Sequence, residues 1–129
     1  ADIKAAMTDW GMDLSGLQTN DHPTGTVQVS FKAGEPSFEI VPQRAWDFID
    51  ARQARTAVVD LPVMLLYHGT LALREPGSRI AFETLRDGLR LPTLVDVNLR
   101  PPWWQHEVLS ASLTQATWGK LNEHELREA

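Results

Sequence analysis

The stretch DVNLRPPWW, residues 96–104, joins an apolar strand to three polar side chains, two prolines and two tryptophans. A β-strand projects alternate side chains to opposite faces, so the pattern places Asp96, Asn98 and Arg100 on one face. Three polar groups at the end of a buried strand are costly unless they bind something. The stretch therefore predicts a strand whose end carries a binding site.

The sequence on both sides of this stretch predicts an α/β fold. Apolar runs indicate strands at 63–69, 92–99 and 117–122, and amphipathic patterns indicate helices at 78–90 and 103–116. Alternating strands and helices form a parallel sheet with right-handed crossovers, flanked by helices. The uninterrupted apolar run of the first strand further predicts that this strand is buried on both faces.

The amino-terminal part has a different pattern. Residues 1–10 have helical spacing and are followed by Gly11, a candidate C-cap. The alternating segments 24–31 and 37–41 predict a β-hairpin, with KAGEP as a loop of about five residues. Residues 42–53 predict a helix with a proline in its first turn.

Composition narrows the functional classes. The chain has 129 residues, enough for one domain, and it contains no cysteine, which excludes disulfides, a thiol nucleophile and cysteine metal sites. The net charge is −5 without a basic run, which argues against a nucleic-acid partner. No apolar run is long enough to predict a membrane span, and a cytoplasmic location is expected.

Ligands of open α/β sheets bind beyond the carboxyl ends of the strands, which here are YHGT, DVNLR and KLNEHE. At the second of these ends, Arg100 could hold a phosphate or carboxylate, while Asn98 and Asp96 could bind sugar hydroxyls or orient the guanidinium. The alternative is an ion pair between Asp96 and Arg100 that only closes the strand.

Asn122 and Glu125 form an N-x-x-E pattern at the last strand-to-helix junction. This pattern is typical of a capping box, in which the two side chains bond each other's backbone amides. The functional alternative is that the helix start attracts an anion while the acid helps to organise a metal–phosphate group.

Other catalytic motifs are missing. The four histidines lack metal-binding spacing, and the sequence contains neither G-x-S-x-G nor a glycine-rich phosphate loop. A metal-assisted hydrolase that uses Asp96 and His68 is therefore the least supported hypothesis.

A family resemblance joins these segments. In order and spacing, HPTGTVQVSFKAGEPSFEIV, AWDFI, LLYHGTLALR, LVDVNLRPPWW and KLNEHEL resemble the middle of PfkB-type carbohydrate kinases of the ribokinase-like superfamily, and bacterial fructokinases most of all. The resemblance implies transfer of the γ-phosphate of ATP to the hydroxyl of fructose or a related sugar, with Mg²⁺ bridging the phosphates. It implies a Rossmann-like parallel sheet with a small lid.

The resemblance also implies roles for individual segments. Residues 24–41 would be the lid over the sugar, with Thr24, Gly25, Thr26 and Phe38 as its site residues, and residues 57–129 would be a βαβαβ unit. Asn98 and Arg100, with Asp96 beside them, would lie near substrate and phosphate. Asn122 and Glu125 would organise metal and phosphates.

The sequence departs from the family pattern at two places. It lacks the Gly-Gly and Asn segment that binds the sugar and the G-A-G-D motif that supplies the anion hole and the catalytic Asp. We therefore expect residues 1–129 to be the central portion of one ribokinase-like domain, inactive alone. The alternative is a truncated, non-catalytic paralogue that dimerises or binds sugar. Either form is expected to self-associate through the lid or an exposed sheet.

Overall fold

The computed structural model describes residues 2–129, apart from the side chain of Lys32. It contains an antiparallel hairpin, a parallel sheet in the order β3-β4-β5, and helices, which confirms the predicted α/β architecture. The strands are β1 (Val27–Lys32), β2 (Glu35–Ile40), β3 (Leu66–Gly69), β4 (Thr93–Asp96) and β5 (Trp118–Lys120). The helices are α1 (Ile3–Asp9), α2 (Ala51–Val58), α3 (Pro76–Leu89), α4 (His106–Gln115) and α5 (Glu123–Glu128), with 3₁₀ turns at Ala45–Asp47 and Leu71–Leu73. Within residues 2–129 none of these helices has the length and apolarity needed to cross a membrane.

The β1–β2 hairpin closes in a two-residue turn instead of the predicted five-residue loop. Lys32 pairs with Glu35, and the intervening Ala33 and Gly34 both have positive φ, +51° and +88°. Positive φ at both central residues is the type I′ turn, whose twist matches that of the strands. Glu35 and Pro36 therefore belong to β2, and the prediction was wrong about them.

One face of the hairpin is apolar and uncovered. Cross-strand partners share a face, and the pairs include Val29 with Phe38 and Phe31 with Pro36. Phe31 and Phe38 are 74% and 67% exposed. The described chain therefore leaves this apolar face open.

The parallel sheet is covered on one face only. Val95 and Val97 are fully buried with Leu109 of α4, and the ring of His68 lies 4.1 Å from that of Phe82 on α3. On the opposite face Tyr67 and Trp118 are more than half exposed. The prediction of a strand buried on both faces is wrong for the described chain, because α3 and α4 lie on the same side.

Three predicted helix starts differ from the structure. The segment 42–53 divides into a 3₁₀ turn and α2, with Pro42 outside both, and α4 begins after the two tryptophans. Ser78, the first residue of the helix predicted over 78–90, lies inside α3, which begins at Pro76. Its hydroxyl donates to the carbonyl of Trp46 at 2.7 Å and accepts from the amide of Ile49 at 3.1 Å. Ser78 thus fixes the Ala45–Asp47 turn onto α3.

A buried ion pair that the sequence analysis did not predict joins the two parts of the fold. Arg74 donates from Nε and Nη2 to the two carboxylate oxygens of Asp47 at 2.8 and 2.7 Å, and Nη2 also donates to the carbonyl of Val41 at 3.2 Å. The guanidinium lies over the rings of both Trp46 and Trp103, with Cζ 4.7 and 4.8 Å from their centroids. Burial alone would raise the pKa of Asp47, but the hydrogen bonds from Arg74 and the Arg44 amide outweigh it, and the pKa lies below 3.8.

Asp47→Asn is expected to destabilise the chain by about 3–5 kcal/mol, because it leaves a buried guanidinium without its counter-charge. Urea unfolding followed by tryptophan fluorescence measures this free energy. Asp87→Asn is the control, since the Asp87–Arg86 pair is exposed and its loss costs less than about 1 kcal/mol. Equal effects of the two substitutions would show that the buried pair contributes little to the free energy of unfolding.

The same carboxyl predicts an acid dependence. Because the folded-state pKa of Asp47 is lowered, its contribution is complete above the ordinary value of 3.8 and is lost as pH falls through the folded pKa. Asp47→Asn should therefore flatten the decrease in unfolding free energy below about pH 4. An unchanged acid slope in the variant would contradict this assignment.

Candidate functional site

The carboxyl ends of the three parallel strands bring three polar side chains together on the open face of the sheet. Asp96, at the end of β4, accepts from Lys120 Nζ at 2.8 and 3.0 Å and from the hydroxyl of Tyr67 at 3.2 Å. Each of the three strands supplies one of these residues: Tyr67 lies on β3, Asp96 on β4 and Lys120 on β5. Asp96 is the register partner of both Lys120 and Gly69, and Gly69 lies two residues after Tyr67. We call these three residues the edge cluster.

The charges of the edge cluster stabilise one another. The hydrogen bond from Lys120 holds the pKa of Asp96 below 3.8, although partial burial opposes the shift. The same carboxylate raises the pKa of Lys120 above 10.5 and that of Tyr67 above 10.0. At neutral pH the cluster is therefore a carboxylate between an ammonium and a neutral phenol.

Asp96 does not pair with Arg100, so the predicted alternative of an Asp96–Arg100 ion pair is wrong. β4 ends at Asp96, and Asn98 has a left-handed φ of +46°, which ends the strand alternation that was to place all three on one face. Asn98 and Arg100 are both exposed, and Arg100 Nη1 donates to the neighbouring Leu99 carbonyl at 3.4 Å. Their side chains lie in the loop just beyond the cluster.

Asn122 and Glu125 form the capping box of α5. Asn122 Oδ1 accepts from the Glu125 amide, and Glu125 Oε2 accepts from the Asn122 amide, both at 2.9 Å. Glu125 is buried, and its Oε1 accepts from the amide of Leu99 at 3.0 Å. The acid therefore fixes the loop after β4 onto α5.

These contacts leave Asp96 and Glu125 poorly suited to coordinate a metal ion directly. Both oxygens of Glu125 bond backbone amides, and Asp96 is already neutralised by Lys120, so neither fits a direct Mg²⁺ ligand. No group of three or more His, Asp or Glu in the described part of the chain could hold a metal ion. The ring of His68 packs against Phe82 on the covered face of the sheet, away from Asp96. The two residues that the hydrolase hypothesis needs are therefore not in one site.

A cleft of about 780 Å³ lies at the base of the hairpin. Its aromatic wall includes Trp46 and the ring of His22, which stacks on Phe48 with centroids 3.6 Å apart. Its size suits a small-molecule ligand. The cleft is lined by Asp2, Ile3, Lys4, Gly16, Leu17, Gln18, Thr19, Asn20, His22, Thr24, Gly25, Ala45, Trp46, Phe48 and Ile49.

The structure separates the four residues proposed for the lid. Thr24 and Gly25 line the cleft, and the backbone of Thr26 closes the hairpin by accepting from the amide of Val41 at 3.2 Å. Phe38 lies on the exposed apolar face of the hairpin and does not line the cleft.

The sequence analysis missed Tyr67 and Lys120 as members of the edge cluster. Both are visible in the sequence, in the strand-end segments LYHG and WGK. Whether these two side chains lie next to Asp96 depends on the register between neighbouring strands, and the sequence of one strand does not give that register. Aligning the predicted strand ends at residues 99 and 122 pairs Lys120 with Val97, one residue away from its observed partner Asp96.

No protein-family model matches the chain, and no curated protein matches it. The solved structures that share its fold include two of an uncharacterized sugar kinase, PH1459, from Pyrococcus horikoshii. The structure in complex with ATP has a TM-score of 0.81 and 22% identity over 96% of this chain and 44% of that one. The second has a TM-score of 0.80 and 22% identity over 97% and 46%. The chain thus has the fold of part of a sugar kinase and spans less than half of its length.

Asp96→Asn is expected to lower the pKa of Tyr67 toward 10.0, because the neighbouring carboxylate is what raises it. Tyr67 is the only tyrosine, so the absorbance of its phenolate reports this residue alone. Asp87→Asn, an exposed change elsewhere, should leave the titration where it is. A midpoint that stays high in Asp96→Asn would exclude the Tyr67–Asp96 contact.

Glu125→Gln is expected to destabilise the chain by about 1–3 kcal/mol, because one of the two backbone amides that donate to the buried Glu125 side chain then faces an NH₂ group. Amide hydrogen exchange at Leu99 should accelerate more than exchange in β4. Glu123→Gln is the matched control on the same helix, since Glu123 is exposed and pairs only with Arg127. Equal exchange at Leu99 in both variants would argue against the role of Glu125 in holding the loop.

Proposed function

We propose that this chain is part of an ATP-dependent sugar kinase that transfers the γ-phosphate of ATP to a sugar hydroxyl. The observation that carries the proposal is the edge cluster with Asn98 and Arg100 at the carboxyl ends of the parallel strands, where α/β sheets bind ligands. The fold shared with the sugar kinase of Pyrococcus horikoshii supports it.

The proposed roles follow from charge and position. Phosphoryl transfer depends mainly on positioning and on cations that stabilise the charge of the phosphates. Arg100 is exposed, with its guanidinium bonded to a single carbonyl in the described chain, so its remaining donors can face a phosphate. Asn98, with Asp96 beside it, would contact sugar hydroxyls. The sugar would enter through the cleft that Thr24 and Gly25 line.

ATP is the proposed phosphate donor, and Mg²⁺ would neutralise its phosphates. Because Glu125 bonds two backbone amides, it would act on the ion only through water or by fixing the loop. Asn122 likewise uses its Oδ1 as a helix cap. Asn122 and Glu125 would therefore shape the loop beside the phosphates, and Mg²⁺ would supply neutralisation of the phosphate charge.

The finer parts of the proposal concern the whole protein. The substrate would be fructose or a related sugar, as the similarity to fructokinases implies, and the activity would need segments beyond residues 1–129. Self-association would use the exposed hairpin face, and no role for nucleic acid or membrane is proposed. A cytoplasmic location is expected from the lack of cysteine.

A second candidate is a non-catalytic module that dimerises or binds sugar. The exposed apolar face of Val29, Phe31 and Phe38 favours it, because such faces commonly mark interaction surfaces. The reading frame around this segment distinguishes the candidates. A frame that encodes the Gly-Gly and G-A-G-D motifs of the kinase family supports the enzyme, and one that encodes neither supports the module.

Arg100→Ala in the longest polypeptide that the gene encodes is expected to lower kcat/KM for sugar-dependent ADP formation by about 100-fold or more, the usual effect of removing a charge-stabilising donor. The assay would test fructose first and then other ketoses and aldoses. Arg52→Ala, on the exposed side of α2, is the control and should retain activity. Unchanged kcat/KM in Arg100→Ala would remove Arg100 from the site, and no ADP formation with any sugar would reject the kinase proposal.

A further inference from the structure

We propose that Arg74 is a positioning residue that couples the cleft at the base of the hairpin to the loop that carries Asn98 and Arg100. The functional meaning of the coupling rests on the proposed function, which places sugar at one end and phosphate at the other. The physical coupling itself depends only on contacts of the described residues.

The coupling begins at Trp46, which lines the cleft and packs on one face of the Arg74 guanidinium, 4.7 Å away. The ring of Trp103 also lies against this guanidinium, with its centroid 4.8 Å from Cζ. The two indoles therefore contact the same planar group, and a shift of one ring displaces the surface on which the other rests. An Arg guanidinium is suited to this role because it is flat and stacks on aromatic faces.

The coupling ends at the loop after β4. The amide of Trp103 donates to the carbonyl of Arg100 at 2.8 Å, so the position of the indole and the turn that carries Arg100 are joined directly. The other side of this loop is fixed by Glu125, which accepts from the amide of Leu99. The backbone of Arg100 thus lies between Leu99, which Glu125 holds, and Trp103, which packs on Arg74.

The hairpin is connected to the same guanidinium. Arg74 Nη2 donates to the carbonyl of Val41, the residue that follows β2, and the amide of Val41 donates to Thr26 across the hairpin base. The bidentate pair with the fully buried Asp47 prevents the guanidinium from rotating away. The cavity beside Arg74 and Trp103 has only about 10 Å³, so little space exists to absorb a displacement.

Substitution of Gly25, in the cleft, would displace Trp46, and substitution of Gly16, in the same cleft, is the control. A Cβ added at Gly25 would lie 3.3 Å from Trp46 Nε1, so Gly25→Ala should displace the indole by a few tenths of an ångström. A Cβ at Gly16, in the same cleft, would have no atom within 4 Å. The two substitutions add the same methyl group, but only one of them presses on Trp46.

The experiment records the ¹H–¹⁵N resonances of the tryptophan indoles and of the Arg100 amide in the 129-residue chain. We expect Gly25→Ala to shift the resonances of Trp46, Trp103 and Arg100 several times more than Gly16→Ala does. In an Arg74→Lys background, which keeps a cation near Asp47 but has no flat group against the indoles, Gly25→Ala should still shift Trp46. The shifts at Trp103 and Arg100 should be lost.

Two results would overturn the proposal. One is a Trp103 resonance that does not respond to Gly25→Ala in the wild-type background, and the other is a response of equal size in Arg74→Lys. If Arg74→Lys does not fold, the Asp47→Asn/Arg74→Met double variant replaces it, because it removes both buried charges together. The measurement uses neither ATP nor sugar. Either of these two results would therefore refute the coupling but not the kinase proposal, which the assay of sugar-dependent ADP formation tests separately.

Discussion

The buried pair of Asp47 and Arg74 is the interaction on which the arrangement of the chain depends. Two charges removed from water are tolerated only when each satisfies the other, and here the carboxylate receives two hydrogen bonds from one guanidinium. The pair joins the turn after the hairpin, the hairpin base and the loop before α4. A purely apolar contact could supply similar stability, but it would not fix the direction in which the hairpin leaves the α/β part.

The strand-end edge is built around contacts that limit its motion. Asp96 is held by donors from both neighbouring strands, and Glu125 uses one oxygen for its own helix and the other for Leu99. These bonds position the exposed Arg100 without neutralising it. The exposed guanidinium of Arg100 therefore lies in front of a set of groups that hydrogen bonds hold in place.

Local patterns allowed much of the fold to be predicted from the sequence, because hairpin alternation and buried runs involve neighbouring residues. The errors arose at residues with left-handed backbone conformation and where residues distant in sequence decide the structure. The alternation 96–98–100 failed because Asn98 adopts a left-handed conformation. Asp47 and Arg74 lie far apart in sequence, so no spacing rule could pair them. The partnership of Asp96 with Lys120 required the register of two separate strands.

The chemistry of the edge also indicates what it does not supply. A general base must accept a proton, and a carboxylate with a lowered pKa accepts one poorly. Asp96 has such a lowered pKa, because Lys120 and Tyr67 donate to it. Glu125, the other carboxylate at this edge of the described chain, has each oxygen bonded to a backbone amide. These residues are therefore suited to fixing charge and position at the sheet edge, and neither carboxylate is suited to accept a proton.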